Sequence, residues 1–449
     1  MSKSILIKDT YILNPLSPSK VEVFKSSILI EKGVIAGIGD YDYADIVIDG
    51  KGKVTLPAFV NCHTHIPMTL FRGVVEGLET MDWLKVVWRI EENLTSNDIY
   101  WGALLGCIEQ ALTGIGVFID MYFMEDIVAK AATDVGLNIV VSEGIIDIND
   151  PSRGEEKIKQ TVKYARELPL KYNGKVKVMF APHSLYGTHR RTLETIAQLS
   201  KEFGLKVHIH VAESLRELDF VRRNYGTTPI RALDRLGLLN ERTVCAHSFY
   251  VDEGEIDLIG RRKASVAHAP VVIMKHGLKE APVVEYIEKG VLVGLATDGP
   301  GSNNNLDFLE EMKVAALLYS YESKNPQKLT VQTVIWMATK AGYDITGFKG
   351  GLVREGYPAT LTILNFRKPH LTPLHNIPSH IVYAAKGEDV DTLIVNGELI
   401  VEKGKLRKVD VEKAMDKVNE LYRDLLGRSG FKPRLNGAPV EVKCKQTYM

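Results

Sequence analysis

Two histidines lie one residue apart in the segment NCHTHIPMTLFRG, which directly follows the apolar run LPAFV. His63 and His65 occupy positions i and i+2, and such positions project to the same side of a β-strand. The two rings can therefore direct two nitrogen atoms at one ligand, such as a metal ion. The alternative interpretation is a pair of hydrogen-bonded histidines at the end of a strand. Histidines and carboxylates elsewhere in the chain decide between the two.

Similar residues end β-rich runs later in the chain. They are His183 in APHSLYG, His208 and His210 in HIHVAES, His247 in AHSFY, His268 in AHAP and Asp298 in ATDGPG. Zinc and ferrous iron favour imidazole nitrogen and carboxylate oxygen, and a catalytic site leaves one coordination position open for water. His63, His65, His210 and Asp298 supply four ligands of these types. Glu213 follows at the predicted strand end, where it serves either as a general acid/base beside the metal or as a charge in the first turn of the next helix.

The elements that must position these residues follow from the hydrophobic pattern. Between residues 58 and 357, helical stretches separate most of eight β-rich runs, FVNC, GVFIDM, NIVVSEGI, VKVMFAPHS, VHIHVAES, TVCAHSF, ASVAHAP and VLVGLATDG. This pattern predicts an α/β fold, a (β/α)8 TIM-type barrel whose active site lies at the carboxyl ends of the strands. The candidate residues lie at that end of their runs.

The two ends of the chain contain the remaining β-rich segments. Residues 1–57 read as short strands without a helix, and β character returns in residues 358–408, where Asn396-Gly397 is a two-residue hairpin signal. Each segment is too small to hold a core alone, so we expect the two to pair into one small β-sandwich domain. Residues 409–449 are expected to form a C-terminal helix, over about 410–427, and a basic tail.

The composition excludes several classes of protein. The 449 residues are 45% hydrophobic and 25% charged, and 56 basic residues balance 56 acidic ones, so we expect neither a nucleic-acid partner nor a membrane partner. The sequence has no apolar stretch long enough for a bilayer and no signal-peptide pattern at its start. Four cysteines without CxxC spacing argue against a disulfide framework and a cysteine-based zinc site, which favours a cytoplasmic location.

The chain resembles the amidohydrolase superfamily, in particular the chlorohydrolase and adenosine-type deaminase branch that contains the methylthioadenosine/S-adenosylhomocysteine deaminases. The resemblance covers about residues 1–400 and is carried by LPAFVNCHTHIPMTLFRG, DWLKVVWRIEENLT, FIDMYF, APHSLYG, HVAES, AHSFY and LATDGPGSNNNLDFLEEM. It implies one divalent metal ion, zinc or alternatively Fe²⁺, bound by His63, His65, His210 and Asp298. The fourth run ends without the lysine that forms a carbamylated bridge in binuclear relatives, so a single ion is implied.

The resemblance also implies an activity, the hydrolytic deamination of a methylthioadenosine-like or adenosine-like nucleoside. Metal-bound hydroxide attacks the amino-bearing ring carbon and ammonia leaves. Asp298 takes the proton of the water, His247 orients the hydroxide, and Glu213 protonates the neighbouring ring nitrogen. The positions that match substrate contacts are Trp83, Glu91, His183 and Glu213, although the stretch between Trp83 and Glu91 is one residue shorter here. The alternatives are a core tryptophan, a helix-surface glutamate and a structural histidine.

Other functions remain open at this stage. The same site serves aminohydrolases of guanine-like, pterin-like or triazine rings, and a barrel without catalysis serves as a binding protein. Relatives that use adenosylhomocysteine carry two arginines for its carboxylate, where this chain has Thr133 and Glu143. Adenosylhomocysteine is therefore predicted to be a poor substrate. The expected partners are a small heterocyclic substrate and further copies of the chain, in a dimer or tetramer.

Overall fold

The computed structural model describes residues 3–432, 434–435 and 438–439. Its first strands are Ile5–Ser17 (β1), Lys20–Glu31 (β2), Val34–Gly39 (β3), Ile46–Asp49 (β4) and Lys53–Pro57 (β5). Lys32 and Gly33, at φ 50° and 82°, connect β2 to β3, as a two-residue hairpin turn requires. The register of β1 breaks between Ile7 and Thr10, and β1 pairs with β4 before this break and with β5 after it. The break therefore lets one long strand serve two partners.

The middle of the chain alternates parallel strands with helices. The strands are Phe59–Thr64 (β6), Ile115–Tyr122 (β7), Asn138–Ile145 (β8), Val176–Val178 (β9), Ala181–Pro182 (β10), Val207–Val211 (β11), Thr243–His247 (β12), Ser265–His268 (β13) and Val293–Leu295 (β14). The helices are Thr80–Glu91 (α1), Ser96–Leu112 (α2), Glu125–Val135 (α3), Pro151–Lys171 (α4), Arg190–Phe203 (α5), Leu215–Tyr225 (α6), Pro229–Arg235 (α7), Glu253–Arg262 (α8), Pro270–His276 (α9), Val283–Glu288 (α10), Phe308–Ser323 (α11), Val331–Ala338 (α12) and Lys340–Thr346 (α13). All eight predicted β-rich runs form strands, with β9 and β10 sharing the fourth run, and the α/β class is confirmed.

The parallel strands form two sheets, one of five strands (β6 to β10) and one of four (β11 to β14). Backbone hydrogen bonds connect them on one side, where the Phe180 amide donates to Lys206 and the His208 amide donates to Phe180, at 2.9 and 2.8 Å. On the other side the Asp298 amide donates to the His63 carbonyl at 3.0 Å. The carboxyl ends of strands from both sheets consequently meet around one space.

The C-terminal part returns to the sheet of β1–β5. Its elements are Leu361–Asn365 (β15), Ile377–Tyr383 (α14), Val390–Val395 (β16), Glu398–Glu402 (β17), Lys405–Leu406 (β18), Val411–Ser429 (α15), Arg434–Leu435 (β19) and Ala438–Pro439 (β20). β15 pairs with β5, so hydrogen bonds join strands from both chain ends into one nine-stranded sheet. The Asn396-Gly397 hairpin forms between β16 and β17, and the C-terminal helix forms close to its predicted limits. The tail predicted beyond it lies largely outside the described residues.

Two separate apolar clusters lie beside the main core. In the nine-stranded sheet, Ile7 and Ile30 from the N-terminal strands pack with Leu361 and Ile394 from the C-terminal ones. A second cluster takes side chains from strands of both parallel sheets, among them Val60, Val117, Val140, Val244 and Ala267. The first cluster ties the two chain ends together, and the second lies between the parallel strands.

The lengths of the helices and the burial of the cysteines concern two of the sequence predictions. Within the described part of the chain, every helix is too short or too polar to cross a lipid bilayer. Cys62, Cys107 and Cys245 are buried free thiols, whereas Cys444 lies outside the described residues. Burial raises the pKa of Cys62 and Cys245 to about 12, so these thiols are unreactive packing residues.

Candidate metal centre

Four side chains meet where β6, β11 and β14 end. His63 lies at the end of β6 and His65 directly after it, His210 lies on β11, and Asp298 lies three residues beyond β14. Asp298 Oδ1 is 3.3 Å from His65 Nε2 and 3.6 Å from His63 Nε2, and the Nε2 atoms of His65 and His210 are 3.3 Å apart. The four predicted ligands therefore direct their donor atoms at one point.

The hydrogen bonds of two of these rings determine which nitrogen carries the proton. His65 Nδ1 lies 2.5 Å from the Met121 carbonyl and His210 Nδ1 lies 2.8 Å from the His183 carbonyl. A carbonyl only accepts, so each ring is protonated at Nδ1 and presents a lone pair at Nε2. Two lone pairs 3.3 Å apart repel each other unless a cation lies between them. The set of donor atoms thus fits a divalent metal ion.

The electrostatics of the cluster agree with this fit. Burial and the neighbouring imidazoles lower the pKa of His63 and His210 well below the usual value, so these rings are neutral, which is the form that binds a metal. His63 Nε2 is buried without a hydrogen-bond partner among the described residues. Such an unsatisfied buried atom is costly unless a ligand satisfies it.

The loop after β14 brings the carboxylate to the cluster. Asp298 has a φ of 59°, and its Oδ1 accepts a hydrogen bond from the Gly299 amide at 2.7 Å. A Cβ at position 299 would lie 3.0 Å from His65 Cβ, so the glycine lets this loop pass close to the histidine. Ala212 and His247 also adopt positive φ, at 55° and 74°. Strained backbone of this kind at three strand ends is typical of a functional site.

Glu213 and His247 lie beside the four converging donors. Glu213 Oε2 is 3.7 Å from His247 Nε2, and its Oε1 accepts a hydrogen bond from the Tyr186 hydroxyl. Burial raises the pKa of Glu213, while His247 and Tyr186 lower it less strongly. The N-cap of α6 is Ser214, whose side chain accepts from the Glu217 amide. The Glu213 side chain therefore does not cap α6, which argues against the alternative of a helix-terminal charge.

A cavity opens over the cluster. The predicted substrate residues Trp83, Glu91 and His183 all line it, together with apolar side chains such as Trp88 and Phe123. Its lining has a polar edge at the histidine cluster and an apolar remainder. This combination suits a flat heterocycle with a small apolar substituent.

Glu91 is the most perturbed carboxyl of the predicted substrate contacts. It ends α1, and its Oε1 accepts a hydrogen bond of 2.6 Å from the Tyr122 hydroxyl. Burial raises the pKa of Glu91 to about 7, against the effect of that hydrogen bond. Glu91 is thus not a solvated helix-surface residue, and its charge changes near neutral pH.

Three further residues make contacts that the sequence did not predict. His268 contacts the Tyr319 hydroxyl at 3.4 Å and does not line the cavity, although it ends a strand as the others do. Glu143 also points away from the cavity, because its carboxylate accepts from the Glu125 amide at the start of α3 and pairs with Lys157. His208, two residues before His210 on β11, contacts His63 at 3.0 Å. Contacts with residues distant in the chain determine the orientation of all three side chains.

Sequence reasoning missed two tyrosines of the site. Tyr186 donates to Glu213, and Tyr122 donates to Glu91. Both follow or end a strand of the same parallel set, in APHSLYG and FIDMYF. Their position at the carboxyl ends of strands was the available signal, since active-site residues of barrels lie there.

Comparison with known proteins identifies the class. The model of the amidohydrolase family matches residues 54–400, and the chain belongs to this family. It is 40% identical over 424 residues, covering 93% of this chain and 97% of the relative, to a 5-methylthioadenosine/S-adenosylhomocysteine deaminase of Carboxydothermus hydrogenoformans. It is 36% identical over 427 residues, covering 94% and 99%, to a 5'-deoxyadenosine deaminase of Methanosarcina mazei. An adenosine deaminase from Xanthomonas campestris with bound zinc superposes with a TM-score of 0.87 at 26% identity, covering 94% of this chain and 98% of that one.

Proposed function

We propose that the chain is a metal-dependent hydrolytic deaminase of adenine nucleosides, with methylthioadenosine, adenosine or 5′-deoxyadenosine as substrate. One observation carries this proposal: the donor atoms of His63, His65, His210 and Asp298 converge beside a buried glutamate at the floor of a cavity whose lining is largely apolar. The reaction consumes water, replaces the exocyclic amino group by an oxo group and releases ammonia. The deaminase relatives, all of similar length, support the same reaction.

The metal ion is proposed to be zinc, with Fe²⁺ as the alternative. The zinc-containing adenosine deaminase of the same fold supports zinc. His63, His65, His210 and Asp298 would hold the ion. When bound, it would lower the pKa of water to about 7 and so supply a nucleophile at neutral pH.

The protein groups around the reacting carbon then have separate tasks. Asp298 accepts the proton that the attacking water loses, because its carboxylate lines the cavity beside the histidines. His247 stabilises the negative charge that develops on the attacking oxygen. Burial raises the pKa of Glu213, which favours its protonated form, and the carboxyl group donates its proton to the ring nitrogen next to the attacked carbon. The same carboxylate then helps to transfer a proton to the departing ammonia.

The substrate residues fix the nucleoside in that position. Trp83 covers the ligand and offers an indole N–H that has no partner among the described residues. Glu91, as a carboxylate, accepts hydrogen bonds from the ribose hydroxyls. His183 is held by Ser184 Oγ at 3.0 Å from its Nδ1, and burial lowers its pKa to about 3, so it contacts the substrate as a neutral ring.

The cavity favours an uncharged 5′ substituent. Among the described residues that line it, none is lysine or arginine, so a carboxylate such as that of adenosylhomocysteine finds no cationic partner there. Arg153, Arg216 and Arg223 line the adjoining groove and not the cavity itself. Asp150 pairs with Arg153, and Glu79 pairs with Arg216. We therefore expect methylthioadenosine to be preferred over adenosylhomocysteine.

The proposal also includes the domain organisation, the oligomeric state and the cellular location. We infer that the two parallel sheets close into a (β/α)8 barrel over residues 58–357, since hydrogen bonds connect them on both sides and one apolar cluster draws on both. Residues 1–57 and 358–408 then form the small β-sandwich domain, and 409–449 the C-terminal helix and tail. A cytoplasmic homo-oligomer, dimer or tetramer, without a nucleic-acid or membrane partner is part of the same proposal.

An ammonia-release screen tests the proposed substrate class. Metal-loaded protein is assayed with methylthioadenosine, adenosine, 5′-deoxyadenosine, adenosylhomocysteine, guanine, pterins and a triazine. We expect the highest kcat/KM with a nucleoside that lacks a carboxylate. Activity confined to guanine, pterins or the triazine would refute the adenine-nucleoside assignment and favour another aminohydrolase of this family. Release from none of them would favour a binding protein on the same fold.

A further inference from the structure

His63 is held differently from the other two histidines of the metal centre. Backbone carbonyls face the Nδ1 atoms of His65 and His210, whereas His63 Nδ1 lies 3.0 Å from the Nε2 atom of His208. Each nitrogen of an imidazole either donates or accepts, so this contact alone does not say which ring provides the proton. Only a His63 that is protonated at Nδ1 has a free lone pair at Nε2 for a metal.

Ser142 resolves this ambiguity. Its hydroxyl oxygen contacts both the Asp120 carbonyl oxygen and His208 Nδ1, the latter at 3.3 Å. The carbonyl only accepts, so the hydroxyl proton of Ser142 points at Asp120. Ser142 Oγ is then free only to accept, and His208 must be protonated at Nδ1 to donate to it.

Counting the N–H groups gives the proton positions of His208 and His63. No carboxylate among the described residues contacts His208, and the ring is fully buried, so it is neutral and has a single N–H. That N–H faces Ser142, which leaves His208 Nε2 as an acceptor. His63 must therefore donate from Nδ1, and its Nε2, which is buried without a described partner, keeps its lone pair.

We propose that His208, oriented by Ser142, is a positioning residue that fixes the tautomer and the ring orientation of His63 for metal binding. This inference rests on the metal site of the proposed function. His63, His208 and Ser142 are all fully buried, so water cannot replace a lost partner in the chain of hydrogen bonds. Removing the hydrogen-bond partner of a metal-bound histidine typically weakens metal binding by about 10–100-fold.

Variants of His208 distinguish this role from simple packing. In His208→Gln the amide oxygen can accept from His63 while the amide N–H donates to Ser142, so the chain of hydrogen bonds persists. In His208→Leu a side chain of similar reach lacks both functions. Ser142→Ala is a smaller change that removes the acceptor for His208 Nδ1, together with the hydrogen bond to the Asp120 carbonyl. It keeps the test valid if His208→Leu does not fold.

The experiment measures zinc affinity by competition with a chelator, the visible absorption spectrum of the Co²⁺-loaded protein, and the melting temperature of the metal-free protein. We expect His208→Leu to weaken zinc binding by about 10–100-fold and to alter the Co²⁺ spectrum, Ser142→Ala to weaken binding less, and His208→Gln to remain close to the wild type. Wild-type zinc affinity and an unchanged spectrum in His208→Leu and Ser142→Ala, with only a lower melting temperature, would overturn the inference. Failure of the wild-type protein to bind zinc or Co²⁺ would instead overturn the proposed metal site and this inference with it.

Discussion

Replacement of Glu213 by glutamine tests the proposed proton transfer at one atom. The glutamine oxygen can still accept the hydrogen bond that the Tyr186 hydroxyl donates to Glu213, and the volume of the side chain is unchanged. The variant loses the carboxyl group that lies 3.7 Å from His247 and faces the cavity. We therefore expect the fold and the metal to be retained while protonation of the substrate ring fails.

The expected size of the effect follows from this role. General acid/base catalysis contributes about 10²–10⁴ to rate, and a hundredfold loss corresponds to about 2.7 kcal/mol of transition-state stabilisation. The kcat of Glu213→Gln for methylthioadenosine should accordingly fall by at least about 10². The melting temperature should change little, because the Tyr186 hydrogen bond is kept.

The neighbouring Glu217 offers a matched control. It is also buried, and its Oε2 accepts from the Glu213 amide at 2.8 Å, as a helix-start residue does. Glu217→Gln likewise keeps an oxygen that can accept from the Glu213 amide, so it should change the melting temperature little and have a much smaller effect on kcat than Glu213→Gln. The assay is steady-state ammonia release, with zinc content and melting temperature measured on the same samples. A Glu213→Gln variant with full zinc and near wild-type kcat would refute the proton-transfer role.

Three further predictions address the ligands, the substrate site and the buried charges. His210→Ala should lose metal content and turnover together. The control His375→Ala changes an exposed histidine and should keep both. Elemental analysis showing full metal occupancy in His210→Ala would contradict the ligand assignment. The KM for methylthioadenosine should rise below about pH 7, because the Glu91 carboxylate takes up a proton and becomes a weaker hydrogen-bond acceptor. Glu91→Gln should flatten this pH dependence. An equal slope in both proteins would exclude Glu91 as its source. Glu143→Arg should lower the free energy of unfolding by about 3–5 kcal/mol, because it leaves Lys157 beside a second cation. The variant should not improve turnover of adenosylhomocysteine. A stable variant that gains this activity would show that Glu143 does face the substrate.

The strands that carry the metal centre could be predicted because each has a local signal. A buried parallel strand is a short apolar run, and His63, His65, His210 and Asp298 stand at or just after the ends of such runs. The i, i+2 spacing of His63 and His65 further indicated a shared ligand. Spacing within one run and position at its end are properties of the sequence alone.

The contacts that orient those ligands had no such signal. His208 and His63 are 145 residues apart in the chain, and Glu143 reaches Lys157 rather than the cavity because of how α4 packs on β8. The side of a strand is predictable from alternation, but the partner on that side depends on the neighbouring strands. For the same reason His268, which also ends a strand, faces Tyr319 instead of the metal centre.

Metal-dependent deamination is tested most directly on the wild-type protein. Ultraviolet absorbance follows the conversion of methylthioadenosine to its inosine-type product by protein that has been stripped with a chelator, and again after addition of one equivalent of zinc per chain. We expect negligible conversion by the stripped protein and recovery of activity that saturates near one zinc ion per chain, with one ammonia released for each product formed. Undiminished conversion by fully stripped protein, or no conversion at any zinc content, would contradict the proposed function.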